Sequence, residues 1–138
     1  MREDVVQTAT ANLAAWGVSH RFRVITADIR KPPDDLGAPF DLVTLYNNIY
    51  YFDPAEWPDL FRRIRGWLAP GGALALVSMM RGDSLGSIAA DVVFRCTKGL
   101  APLPRLNNPT ASLRVSGFHD IEATKLMPGE SVYGILAR

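Results

Sequence analysis

Apolar residues along this chain switch between two spacings, every three to four positions and nearly every position, and the switches mark its elements. Val5, Ala9, Leu13 and Trp16 recur at helical intervals, and Gly17 follows as a stop, so a helix is expected over residues 5–16. Residues 22–27 form a short β-prone run, closed by Asp28 and the loop Lys31-Pro32-Pro33-Asp34-Asp35. Residues 40–46, Phe-Asp-Leu-Val-Thr-Leu-Tyr, read as a second strand that is apolar enough to be buried on both faces. Next, Trp57, Leu60, Phe61, Ile64, Trp67 and Leu68 make one apolar stripe, with Arg62, Arg63 and Arg65 off it. Asp53 and Glu56 have capping-box spacing, and Pro54 suits a first helical position. Pro58 removes an amide from the first turn, which moves the expected helix start a few residues past those caps.

The helix is expected to stop at Pro70-Gly71-Gly72, with a third strand over residues 73–79. Leu85, Ile88, Ala89, Val92, Val93 and Cys96 then share one helical face, expected to face the core, with Cys96 as a small core residue. A proline-rich loop occupies residues 100–109, and a short helix ends at Ser116 with Gly117 as its stop. Two final strands, residues 119–126 and 131–136, flank the turn Pro128-Gly129 and should pair as an antiparallel hairpin. Helix and strand alternating in this way predict an α/β fold with a mainly parallel sheet.

Composition narrows the function classes. The 138 residues have length for one domain, and 48% of them are hydrophobic, enough for a sizeable core. A formal net charge of +1, with no basic run, gives no support to a nucleic-acid or membrane-surface role. Cys96 is the one cysteine, which suits a reducing compartment. There is no signal-like segment behind Met1-Arg2-Glu3-Asp4, and no run approaches the roughly 20 apolar residues that span a bilayer, so a cytoplasmic protein is expected. No His, Cys, Asp and Glu set has metal-ligand spacing, and His20 and His119 are expected at the surface.

Several strings, in order, carry a family resemblance. Ile25-Thr26-Ala27-Asp28-Ile29 is one; Phe40-Asp41-Leu42-Val43 running into Tyr46-Asn47-Asn48-Ile49-Tyr50-Tyr51-Phe52 is another. Leu68-Ala69-Pro70-Gly71-Gly72-Ala73-Leu74 is the third, and residues 113–118 and the terminal hairpin complete the series. With these the chain resembles the class I, seven-stranded S-adenosylmethionine-dependent methyltransferases. The resemblance implies a Rossmann-like sheet with helices on both faces and a C-terminal antiparallel hairpin, the last strand inserted antiparallel. It also implies that the N-terminal βαβ portion is missing, since no Gly-x-Gly-x-Gly occurs in the chain. The chain is thus expected to be a single partial domain, a fragment in preference to a degenerate or swapped form. Its first two strands would lose their shared neighbours, making a homodimer or a missing N-terminal segment the expected partner.

The cofactor implied is S-adenosylmethionine. The resemblance places the Asp28 carboxylate at the adenine amino group and the Ile29 amide at a ring nitrogen. Tyr46, Asn47 and Asn48 leave the next strand on the same edge, where amides can bond cofactor or substrate, though Asn is also a common turn residue. Tyr50 and Tyr51 would flank the reaction centre, where an aromatic face can attract a sulfonium, while Phe52 suits the core. Arg81 could pair with an anionic substrate group or be a solvated loop arginine. Glu130, in the hairpin turn, would overlook the substrate. No catalytic residue is assigned, because methyl transfer from an activated donor needs alignment more than a base. The expected function is methylation of a small-molecule acceptor by the complete form. The competing reading is a non-catalytic remnant acting as a structural partner, and a nicotinamide-binding Rossmann domain is disfavoured because its glycine fingerprint is missing as well.

Overall fold

A computed structural model of the chain describes residues 3–33, 35–37 and 39–138; Asp34 in the predicted loop, and Met1-Arg2 at the N-terminus, lie outside them. By its internal contacts the chain divides into two units, residues 1–36 and 37–138.

The first unit holds helix α1 (Glu3–Ala15), with Glu3 and Asp4 in its first turn, where they complement the helix dipole. Gly17, at a φ of 69°, takes the left-handed conformation that ends the helix. A single 3₁₀ turn, Ser19–Arg21, follows. The strand expected over residues 22–27 does not form; this stretch has no ladder partner among the described residues. A strand exists only through the hydrogen bonds of a neighbour. Among the described residues of this unit no side chain is buried, so α1 keeps its helix with Val5 48% and Trp16 72% exposed.

The second unit is built on four strands: β1 (Phe40–Tyr46), β2 (Leu68–Met79), β3 (Ile121–Lys125) and β4 (Val132–Ala137). Their spatial order is β1-β2-β4-β3. β1 pairs parallel with β2, while β4 enters between β2 and β3 and runs antiparallel to both. The expected hairpin and its antiparallel insertion are therefore present. The sheet is mainly parallel in strand direction, as expected: β1, β2 and β3 run the same way, and the inserted β4 opposes both its neighbours. β2 also begins five residues earlier than expected, because Pro70-Gly71-Gly72 does not stop the pairing but shifts its register between Phe40 and Leu42. Gly72 is needed there, since a Cβ would come within 2.8 Å of the Phe40 carbonyl oxygen.

Helix α2 (Trp57–Trp67) supplies the main apolar stripe, burying Trp57, Leu60, Phe61 and Ile64. The 3₁₀ turn Pro54–Glu56 precedes it, closed by the capping box in which Ala55 N–H donates to Asp53 (2.8 Å) and Asp53 N–H donates to Glu56 (2.9 Å). The late helix start expected from Pro58 is thus observed. Against this stripe lie Leu74 and Leu76 of β2, Ile135 of β4, and Leu113 and Phe118, each at most 1% exposed. Each such side chain contributes about 1.5–3 kcal/mol by leaving water. Helix α4 (Asn107–Val115) packs on α2, and the Ser116 hydroxyl donates to the Pro58 carbonyl across 3.1 Å.

Helix α3 (Leu85–Cys96) forms as expected but with the opposite face inward. Leu85 is 86% exposed and Val93 60%, and Cys96 is exposed too; the buried residues are Ser87 and Asp91. The expected core placement of that apolar face, Cys96 included, is corrected. Polar bonds to the chain leaving β2 turn the helix: the Ser87 hydroxyl accepts from Gly82 N–H (3.2 Å), and Asp91 meets Arg81.

Candidate functional site

In a sheet with parallel strands, ligands bind beyond the carboxyl ends, where loops leave all strands on one side. Here that edge lies beyond Tyr46 and Met79, the final residues of β1 and β2; Tyr46 pairs with Val77. β4 begins at the same edge, since Val132 pairs with Met79, so the turn preceding it belongs to the site as well.

Off β1, Tyr46 is 69% exposed. Asn47 has a φ of 49°, among the described residues the one non-glycine residue in the left-handed region, and its N–H donates to the Val77 carbonyl across 2.8 Å. The conformation suits Asn better than most residues. It makes the backbone of Asn47 a turn and leaves its side chain exposed. The side-chain oxygen of Asn48 is buried without a donor. A buried acceptor of that kind is costly until a donor meets it. Ile49 and Phe52 enter the core, the latter as expected, while Tyr51 stays 55% exposed at the edge. The Tyr50 ring stands edge-on to Phe94 of α3 at 4.7 Å and is tilted against Tyr51 at 5.0 Å. Burial, and secondarily the neighbouring Tyr51, push the Tyr50 hydroxyl above its ordinary pKa of 10.0, which keeps it neutral.

Off β2, Met80 is buried and its N–H donates to the Ser131 carbonyl (2.7 Å), which fixes the hairpin turn against the strand exit. Glu130 is exposed in that turn, its N–H directed to the Met127 carbonyl at 3.3 Å. Arg81 is not a solvated loop residue: its side chain is 33% exposed, and its Nε lies 3.1 Å from the carboxylate of Asp91, itself only 5% exposed. Asp91 also accepts from Arg95 Nε (2.9 Å) and from Leu103 N–H (2.9 Å). The proline-rich loop is thereby pinned at three points, since Arg81 N–H donates to the Pro104 carbonyl and Ala101 N–H to the Tyr50 carbonyl, each across 2.7 Å. Asp91 is the site residue that sequence reading missed; its signal is a lone acid inside the apolar run Ile88 to Phe94.

The structure thus gathers Tyr46, Asn47, Asn48, Tyr50, Tyr51, Arg81 and Glu130 along one edge of the second unit. Asp28 and Ile29 belong to the first unit. There the Asp28 Oδ1 accepts from Arg30 N–H (2.9 Å), its carbonyl accepts from Lys31 N–H (2.8 Å), and the Arg30 guanidinium lies 3.9 Å from Oδ1. No group of three His, Cys, Asp or Glu among the described residues could hold a metal ion. No helix among them is long and apolar enough to cross a membrane. For S-adenosylmethionine the fit is partial. In the second unit the buried side-chain oxygen of Asn48 is an open acceptor among the described residues, but residues 1–138 offer no Gly-x-Gly-x-Gly loop whose amides could approach the methionine end.

Comparison with known proteins agrees with this architecture. A family model described as a methyltransferase domain matches residues 1–72. No curated protein matches the chain. Among solved structures, the fold is similar to that of a protein described as an O-methyltransferase from Nostoc punctiforme (TM-score 0.85, 23% identity, covering 98% of this chain and 41% of that one). It is similar also to the S-adenosylmethionine-dependent methyltransferase SibL in its apo form (TM-score 0.82, 21% identity, 99% of this chain and 41% of that one). A third is human N-acetylserotonin methyltransferase in complex with S-adenosylmethionine (TM-score 0.67, 19% identity, 89% of this chain and 37% of that one). The chain spans about 40% of the length of these structures.

Proposed function

The chain belongs to the methyltransferase-domain family, and on that premise we propose that in its complete form it transfers a methyl group from S-adenosylmethionine to a small-molecule acceptor. The observation that carries the proposal is the carboxyl edge of β1, where a left-handed Asn47 delivers Asn48 with a buried, unanswered acceptor. Backbone strain and an unsatisfied polar atom together are what a ligand edge retains and a purely structural turn sheds. The three methyltransferases named above support the same reading, two of them by the cofactor in their descriptions.

When bound, the cofactor supplies an already activated methyl group, so the protein's contribution is alignment and exclusion of water. Asn48 offers its side-chain oxygen to an N–H of the bound molecule, and in the first unit the Asp28 carboxylate is the acceptor for the adenine amino group. Tyr51 presents an exposed ring face suited to a sulfonium. Tyr50, held neutral by burial, orients by hydrogen bonding and withdraws no proton near neutral pH. Arg81 and Glu130 border the acceptor. We further propose a cytoplasmic location, as suits a chain whose one cysteine is exposed and unpaired.

A second reading is the non-catalytic remnant, since residues 1–138 themselves carry no Gly-x-Gly-x-Gly loop. Incubating the purified chain with methyl-labelled S-adenosylmethionine and a panel of hydroxylated aromatic compounds separates the two. A labelled methyl ether is the expected product. A folded chain that binds no cofactor and labels no acceptor would be assigned to the remnant.

A further inference from the structure

Asp91 carries a charge that a helix would ordinarily leave in water, yet it is buried on α3 and surrounded at the exit of β2. Its two oxygens meet Arg81 Nε at 3.1 Å, Arg95 Nε at 2.9 Å and Leu103 N–H at 2.9 Å. Two guanidinium charges against one carboxylate leave one positive charge uncompensated. Arg95 is 54% exposed and can be answered by water, whereas Arg81 is 33% exposed and fixed at both ends. Its backbone is tied to Pro104, and its Nε is held against Asp91 as an ion pair without hydrogen-bond alignment. Its terminal nitrogens make no hydrogen bond to any described residue. A guanidinium anchored through Nε, with its outer fork unengaged, is preset for a planar anion.

We propose that Asp91 is a positioning residue that presents Arg81 to a carboxylate on the methyl acceptor. The acceptor class is accordingly a small hydroxy acid and not a neutral phenol. This rests on the methyl-transfer reading and adds the charge of the substrate to it. The position of Arg81 supports the assignment: it directly follows β2 and Met80, whose N–H holds the hairpin turn, so it stands at the ligand edge. The Pro-rich loop locked by Asp91 is the same one that bonds the Tyr50 carbonyl, so a single buried carboxylate sets both the cationic and the aromatic borders.

The test uses the purified chain, uniformly labelled with nitrogen-15, and reads the Nε–Hε resonance of Arg81, assigned by its loss in Arg81→Gln. The probes are 4-hydroxybenzoate and, as the uncharged match, 4-hydroxybenzamide, at equal ionic strength. The benzoate should shift that resonance saturably and the benzamide should leave it in place. Asp91→Asn retains an acceptor for Leu103 N–H but loses the charge, and should weaken benzoate at least about tenfold while circular dichroism is unchanged. Arg81→Gln should abolish the binding and Arg81→Lys should recover part of it. Should Asp91→Asn not fold, the Arg81 pair decides alone. Equal response to both probes, no response, or unaltered affinity in the foldable variants overturns the proposal. Displacement of benzoate by S-adenosylhomocysteine would assign the carboxylate to the methionine end of the cofactor and overturn the acceptor assignment. The two readings fail separately: S-adenosylhomocysteine binding without a benzoate shift removes this inference alone. A benzoate shift without S-adenosylhomocysteine binding leaves the anion site and removes methyl transfer.

Discussion

Tyr50 and Asp91 both bond the proline-rich loop, Tyr50 through its carbonyl to Ala101 N–H and Asp91 through its carboxylate to Leu103 N–H. The Tyr50 hydroxyl is pushed above its ordinary pKa of 10.0 by burial and then by Tyr51, so the folded state favours the protonated phenol. A raised folded-state pKa contributes stability that is complete below the unfolded value and is lost as pH rises through the folded one. The difference in phenolate absorbance between the chain and Tyr50→Phe should therefore have its midpoint above pH 10.0, and stability should decline over that window; a midpoint at or below the ordinary value would contradict the packing. At this scale the sequence was partly legible. Asn47 and Asn48 stood out as adjacent amides after a strand, and the structure separates them into a left-handed turn residue and a buried acceptor. Asp91 did not stand out, because its meaning comes from Arg81 and Leu103, ten and twelve residues away, and no local pattern encodes that convergence.

Among the elements, α2 was the most legible, since a capping box, two prolines and a full apolar stripe all indicate one helix with one buried face. α3 had an equally clear stripe, and it faces outward. Periodicity finds the helix but not which side meets the protein, and here the bonds of Ser87 and Asp91 to the β2 exit decide it. The two helices should respond oppositely to substitution. Ile64→Ala, at a fully buried site, should cost about 2–5 kcal/mol in chemical denaturation. Val92→Glu, 55% exposed on the apolar stripe of α3, should stay within about 0.5 kcal/mol. A large loss at Val92 would mean that this face is covered in solution. The strand expected over residues 22–27 has β-prone composition, but composition supplies no ladder partner, and the stretch joins no strand of the sheet.

Over the whole molecule, order follows burial. The second unit carries every buried side chain described, and its strands lie in the order β1-β2-β4-β3, with the last strand inserted as the family resemblance implied. Among the described strands β1 is at an edge of the order, paired through its parallel ladder to β2. Hydrogen exchange should reflect the division: amides of α1 and residues 22–27 should exchange fast, and those of β2, paired on both sides, slowest. Uniform protection across both units would show that residues 1–36 are buried in solution. The central claim, that this family member retains a working cofactor edge, is tested most directly by calorimetric titration of the folded chain with S-adenosylhomocysteine. Micromolar, saturable binding is the predicted result. A chain that circular dichroism shows to be folded, and that releases no heat of binding, would contradict it and leave a methyltransferase fold without its cofactor site.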